Sequence, residues 1–229
     1  NAEIIASDVT TTDENGQATI DVPAELSEEG DGRRLTLEST ITDLTENEVS
    51  SRESVVVHQS SIYVGVRPQN YIGTANSEQV FEFVTVNWDE ETVPNQLVDV
   101  TIVERRWNNI QIQEADGSVH WESSVEEIPV TTFEDVETDA HGYASVSFTP
   151  SQGGIYKAIV TTRDSSGNEA VASAYMWVSG SNYIPWRQTD NRSLNLITDK
   201  ESYQPGETAE ILITSPFQDP VYALVTVER

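Results

Sequence analysis

Three histidines, His58, His120 and His141, are the chain's only imidazoles, and imidazole is the side chain most often recruited as a general base or zinc ligand near neutral pH. Their spacing gives neither a helical pair nor a zinc set, and His141 stands beside Gly142 in a turn, where a solvated ring is expected. The sequence contains no cysteine, which removes disulfides, thiolate metal sites and a cysteine nucleophile while leaving the compartment open. There is no Gly-x-Ser-x-Gly elbow, Walker loop or dinucleotide fingerprint. Gly153-Gly154 leads into Ile155-Tyr156, a strand rather than a phosphate-binding helix. Acidic runs at Asp13-Glu14-Asn15-Gly16, Asp89-Glu90-Glu91 and Asp164 to Glu169 could offer oxygens to calcium, yet none has the twelve-residue loop of alternating ligands closed by Glu. A carboxylate just before a turn is equally suited to accept the turn's own amide N–H groups, and that structural role is the stronger expectation. A glycosidase needs two carboxyl groups at a fixed separation, and nothing singles out one pair. Five tryptophans, Trp88, Trp107, Trp121, Trp177 and Trp186, raise the question of sugar stacking. Trp107 follows Arg105-Arg106 and can lie beneath a guanidinium. Trp177 shares a face with Tyr175 in AYMWVS, so one of the two faces there should be core. Packing in a core or at a domain junction is expected of these rings before ligand binding. Asn191-Arg192-Ser193 is a glycosylation sequon, meaningful only in a eukaryotic secretory host. Catalytic, cofactor-binding and metal residues: none is assigned.

The elements that would have to position any such groups read as strands. Val80, Phe81, Phe83, Val84 and Val86 lie in one β-rich run, and Val98, Val100, Ile102 and Val103 in another. Ala144, Val146 and Phe148 alternate with Ser145, Ser147 and Thr149. Turn pairs separate the runs at Asn15-Gly16, Asp116-Gly117, His141-Gly142, Gly153-Gly154, Ser166-Gly167 and Pro205-Gly206. No helical period persists over ten residues. Many short strands with frequent turns predict antiparallel β-sandwiches.

The 229 residues carry 39 acidic and 12 basic side chains, a net charge of −27. Such a surface repels phosphate backbones and anionic lipid, so nucleic acid is not an expected partner. Solubility, with salt tolerance, is its plainest reading. No apolar run is long enough to span a bilayer. Residue 1 is Asn rather than Met and no signal peptide is visible, which reads as a piece of a longer chain.

Internal repeats sharpen this reading. TTDENGQATIDVP at 11–23 resembles ETDAHGYASVSFTP at 137–150, with Asp13, Gly16 and Ala18 on Asp139, Gly142 and Ala144. Further on, 35–57 resembles 156–178, with Asp43 on Asp164 and Val57 on Val178. More weakly, 61–87 resembles 193–216, with Tyr71 on Tyr203 and Gly73 on Gly206. The expected organisation is a back half-module over 1–58, a complete sandwich over 59–179, a linker over 180–192 containing Tyr183, Pro185 and Trp186, and a front half-module over 193–229. Pro205 presets one corner of a turn and Gly206 the next. Tyr203 is expected to lay its ring on the core edge with its hydroxyl in water. Cut half-modules expose strand edges and apolar faces, so self-association through them is a further expectation.

DKESYQPGETAEILITSPF at 199–217 with ALVTVER at 223–229 resembles the start of the bait-bearing macroglobulin-like domain of bacterial alpha-2-macroglobulins. YVGVRPQNYIG, VTVNWDEETVPNQLVDVTIVERRW, DGSVHWE and GGIYKAIVTTRDSSGNEAVASAYMWVSG resemble the domain before it, and TDENGQAT with LTLESTITD the end of the domain before that. The resemblance implies all-β, tandem fibronectin-type antiparallel sandwiches, each of seven strands, that build a ring-like scaffold. In that family a protease cuts an exposed bait segment and is trapped. Many members add a thioester from Cys-x-Glu-Gln, which a chain without cysteine does not carry, and the bait is expected beyond residue 229. The implied role is a non-catalytic scaffold fragment whose partners are neighbouring macroglobulin-like domains and, through the parent protein, target proteases. The implied location is periplasmic or extracellular, with a membrane anchor belonging to the parent if present. The rival reading is a sandwich module of a surface adhesin or carbohydrate-binding array, and a third is an accessory domain of a hydrolase.

Overall fold

The computed structural model describes residues 4–22, 32–114, 116–187, 194, 196–200, 202–215, 217 and 221–228. The sequon at 191–193 lies outside them. Among the described residues there are strands and no helix, and the chain divides into two compact units, Asn1–Gln59 and Ser60–Arg229.

In the first unit β1 (Arg33–Thr42) and β2 (Glu48–Val57) form an antiparallel hairpin, Ile41 opposite Val49 and Leu35 opposite Val55. One face carries hydrogen-bonded cross-strand pairs, Thr40 with Ser50 at 2.8 Å and Arg52 with Glu38 at 2.6 Å. The opposite face carries Leu35, Leu37, Ile41, Val49, Val55 and Val57, as period-two alternation dictates.

The second unit contains a two-layer sandwich. Strands β3 (Tyr63–Pro68), β5 (Gln79–Val86) and β8 (Tyr143–Phe148) make one sheet in the order β3-β5-β8. The other combines β4 (Ile72–Thr74), β6 (Leu97–Gln113), β7 (Val119–Glu137), β9 (Gly154–Arg163) and β10 (Glu169–Ser179) in the order β4-β10-β9-β6-β7. β4 runs parallel to β10, the one departure from antiparallel pairing among these strands. It is held by Trp177 N–H to Tyr71 O, Ala75 N–H to Ser179 O, both 2.8 Å, and Ser179 Oγ to Gly73 O at 3.0 Å. Between the sheets lie Phe81, Phe83, Val146 and Phe148 from the smaller, and Val98, Val100, Ile102, Tyr156, Ala158, Val160, Met176 and Val178 from the larger. Burial alternates without a break along β5, which is why the run at 80–86 is legible as a half-buried strand. Pro68 ends β3 on the sheet edge, where a missing N–H breaks no ladder.

β6 and β7 outrun the rest of their sheet. β6 pairs with β9 only as far as Arg105, opposite Ile155. From Arg106 opposite Glu126 to Gln113 opposite Val119 the two strands continue as a two-stranded arm. Two register shifts interrupt β7. One places Asp135 at φ 53°, its amide caught by Asp99 Oδ1 at 3.0 Å. The other falls beside Pro129, which has no N–H for the ladder.

The tight turns share one device. Asp13, Asp43, Asn87, Asp139 and Asp164 each open a five-residue loop. The first residue's N–H reaches the fifth residue's carbonyl at 2.8–3.0 Å, and its Oδ1 accepts the amides of the third and fifth residues. The fourth residue has positive φ in every case: Gly16 at 75°, Gly142 at 80°, Gly167 at 85°, but Glu46 and Glu90 at 63°. A side chain in that conformation costs about 1–2 kcal/mol, whereas glycine does not, so Glu90→Gly is expected to stabilise the sandwich by about 0.5–1 kcal/mol after the larger entropy of an unfolded glycine is counted. Urea unfolding checks it, and an unchanged midpoint would assign the Glu90 side chain a stabilising role of its own.

β11 (Leu196–Thr198) and β12 (Ile211–Ile213) pair with Leu196 opposite Ile213. Pro205 and Gly206 sit at the turn before β12, with Gly206 at φ 98° and Glu207 N–H bonded to Gln204 O at 3.1 Å. The turn before β5 has Asn76 at φ 61° and Ser77 N–H bonded to Thr74 O. Asn76, not Gly73, is therefore the counterpart of Gly206. With that alignment Val66 falls on Leu196 and Phe83 on Ile213, and both pairs face each other across their ladders. Gly73 has a different task, since a Cβ there would lie 2.2 Å from the buried Gln79 amide. The Tyr203 hydroxyl also has a protein partner. It donates to Asp199 Oδ1 at 2.6 Å, while Lys200 lies 5.6 Å from its ring centroid.

Candidate functional site

The outer face of the larger sheet brings together two cations, Arg105 and Lys157, and two rings, Trp107 and Tyr175. Cross-strand register places Trp177, Ile155, Arg105 and Glu127 in one row, and Tyr175, Lys157 and Val103 in the next. Ile102 and Val103 are adjacent and both buried, Ile102 in the core and Val103 in this second apolar layer with Ile155. The Arg105 guanidinium lies 5.5 Å from the Trp107 ring centroid and 5.0 Å from that of Tyr175, and Lys157 Nζ lies 5.9 Å from Tyr175. Glu127 Oε1 is 3.1 Å from Arg105 Nε and 3.0 Å from Lys157 Nζ, so one carboxylate neutralises both cations. At the rim Arg106 and Gln152 both donate to Glu104. The neighbouring Tyr156 hydroxyl donates to Gln152 O, and burial, then the Glu104 charge, pushes its pKa up to about 12. The arrangement offers ring faces and paired charges rather than an activated nucleophile.

Past β10 the chain turns back along this face. Asn182 Oδ1 accepts Gly153 N–H at 2.7 Å and its Nδ2 donates to Gly153 O at 2.9 Å. Asn109 Nδ2 donates to Trp186 O at 2.8 Å, and Arg187 stands 5.5 Å from the Trp107 centroid.

Of the sequence candidates, Trp107, Trp177 and Trp186 lie on or beside this face, and the histidines and turn carboxylates do not. None of the five tryptophans joins the core, the first of the two places expected for them. The core face of β10 is Met176 and Val178, which puts Tyr175 and Trp177 outside. Trp107 does stack with guanidinium groups, and Trp88 donates its indole N–H to Ser60 O at 2.8 Å. His120 Nδ1 lies 3.5 Å from Glu114 on the arm, His141 is exposed in its turn with its amide bonded to Asp139, and His58 closes the first unit beyond β2. No three His, Cys, Asp or Glu side chains converge among the described residues.

The turn carboxylates are engaged by their own loops. Amide donation from Gln17, Asn47 and Tyr143 lowers the pKa of Asp13, Asp43 and Asp139 respectively, and the Ser118 hydroxyl lowers that of Asp116. Asp164 is lowered furthest by the Ser61 amide, with Asn168 and Ser166 adding to it. This ties the start of β3 to the β9–β10 turn. A carboxyl held below its ordinary 3.8 contributes stability above that pH and loses it as pH falls through the native value. Asp164→Asn replaces an acceptor with a donor facing the Ser61 amide. Its melting temperature is expected to fall several degrees below wild type at pH 6, with the gap closing as pH drops below 3.8. A gap that stays constant to pH 2 would refute the assignment.

A two-sheet sandwich with β3-β5-β8 against β7-β6-β9-β10, its reactive-looking groups tied into turns and sheet faces, defines an all-β protein of the fibronectin-like sandwich class. The family model for bacterial macroglobulin domain 6 matches residues 65–180, just over half of the chain, and the chain belongs to that family. An alpha-2-macroglobulin homolog of Nostoc sp. is 26% identical over 179 residues, 78% of this chain and 9% of its own length. An alpha-2-macroglobulin of Ralstonia nicotianae is 37% identical over 94 residues, 41% of this chain and 5% of its own. The crystal structure of Salmonella alpha-2-macroglobulin reacted with methylamine aligns with 89% of this chain and 13% of that one, at 19% identity and TM-score 0.50. That likeness is one of fold. The chain thus spans less than a tenth of the curated relatives it matches.

Proposed function

We propose that the chain is a non-catalytic scaffold segment of an alpha-2-macroglobulin-like protease trap, held outside the cytoplasm. The observation that carries the reading is the family match across the whole sandwich, 65–180. In this reading 59–179 is the complete module, 180–192 the linker, 1–58 the back half of the preceding module and 193–229 the front half of the next. Register supports the division. With Asp43 set on Asp164, the two loops share the same carboxylate bonds, including Asn47 and Asn168 Nδ2 to Oδ2 at 3.1 Å. Leu35, Leu37, Val55 and Val57 then fall on Tyr156, Ala158, Met176 and Val178, all buried in the complete module. With Asp13 set on Asp139, Ile20 and Val22 fall on the buried Val146 and Phe148. The partners are neighbouring modules of the same kind, with proteases engaged by the parent as a whole.

The test has two arms. The longer protein that contains this segment, incubated with trypsin, is expected to block digestion of a protein substrate while hydrolysis of a small peptide substrate continues. The 229-residue chain alone is expected to leave both activities unchanged. Inhibition by the isolated chain would overturn the scaffold role. Absence of trapping by the longer protein, together with polysaccharide binding by the sandwich, would favour the adhesin reading.

A further inference from the structure

We propose that residues 181–187 form a strap locked into a built seat on β6 and β9, so that the chain leaves the sandwich along the β6–β7 arm rather than from the end of β10. This stands independently of what the parent protein does. Three fastenings define the seat. At the start, Gly153 and Gly180 bring two backbones together where no side chain fits. A Cβ on Gly180 would lie 2.5 Å from Gly153 N, and one on Gly153 would lie 2.8 Å from Gly180 N. Asn182 then imitates a strand by bonding both the N–H and the carbonyl of Gly153. In the middle, Ile184 and Pro185 are half-buried and line a hollow with Arg105, Gln152 and Gly154.

At the far end Ser123 Oγ donates to Asn109 Oδ1 at 2.8 Å. This fixes the amide so that its Nδ2 is the atom presented to Trp186 O. Arg187 and Arg105 both lie 5.5 Å from the Trp107 centroid. Asn109, Ser123 and Trp107 all belong to the two-stranded arm, an element of marginal stability by itself in water. The strap gives the base of that arm a third partner, so arm, strap and sandwich move as one body through Arg187.

Trypsin reads this directly, because Arg187 is a cleavage site at the strap's end and cutting requires the segment to leave its seat. Digestion of the whole chain is followed by mass spectrometry. Cleavage after Arg187 is expected to be at least ten times slower than in a synthetic peptide of residues 181–193. In the Asn109→Ala, Asn182→Ala double variant it is expected to rise at least about tenfold, since three hydrogen bonds of ordinary strength are lost. Cuts within residues 1–59 should keep their rates. Wild-type cleavage as fast as in the peptide would overturn the proposal even if the variant failed to fold. A folded double variant cut no faster than wild type would overturn it as well.

Discussion

Phe81→Ala is expected to destabilise the sandwich by about 3–5 kcal/mol, a large share of the roughly 5–15 kcal/mol that holds a domain of this size together. Phe81 is fully buried at the centre of β5. Its ring stacks on Phe148 at 6.1 Å between centroids, and Phe148 meets Tyr156 at 5.4 Å across the sheets. Removing the ring strips contacts from both layers at once and leaves a cavity that the flanking strands, fixed by their ladders, cannot close. Urea unfolding followed by tryptophan fluorescence gives the number. A loss below about 1 kcal/mol would mean that the two sheets do not meet at this ring.

Gly142→Val is the second large effect, and its cause is backbone rather than cavity. Gly142 has φ 80°, and a Cβ there would lie 3.0 Å from Thr92 Cβ, 3.1 Å from Thr85 O and 3.2 Å from Val93 O. Its carbonyl also accepts the Thr85 amide at 3.0 Å, and Thr85 is itself fully buried. Left-handed strain and crowding against a main chain that cannot yield combine to about 2–5 kcal/mol. Gly167→Val is the internal control. Gly167 has φ 85° with nothing within 4 Å of its Cβ position, so only the conformational part, about 1–2 kcal/mol, is expected. Equal losses at the two sites would show that crowding at Gly142 is absent.

Legibility in the sequence followed burial. Strands β5 and β8 announce themselves because one face is core and the other is wet, so Val146 and Phe148 alternate with serines. The turns were legible through their glycines, but the loop opened by Asn87 was not, because Glu90 occupies the positive-φ corner. The arm is not legible as such because Ile110 and Ile112 alternate with polar residues as in any half-buried strand, and nothing in that pattern marks where pairing with β9 ends. Residue types leave the tryptophans to a core or a domain junction, and Trp107 and Trp177 lie outside the core on a sheet face that buries Val103 and Ile155 as a second apolar layer. Nothing in residue types alone distinguishes that layer from the first. By residue type the weak front-half repeat aligns on its glycines, Gly73 with Gly206. The hydrogen-bonded register shows that Asn76 and Gly206 are the equivalent corners, since turn geometry is conserved where residue type is not. The strap was legible as a polar linker with aromatics, but its path depends on Asn182 reaching Gly153, a contact with no local sequence signature.

The parallel pairing of β4 with β10 decides how the sandwich answers to tension. Strands near the two ends of the module run side by side in the same direction, so a pull on those ends draws them past each other. Tyr71, Gly73, Ala75, Trp177 and Ser179 then carry the load in shear, and their bonds must yield together instead of opening one after another. A module fastened in this way holds its length under load until several bonds break at once.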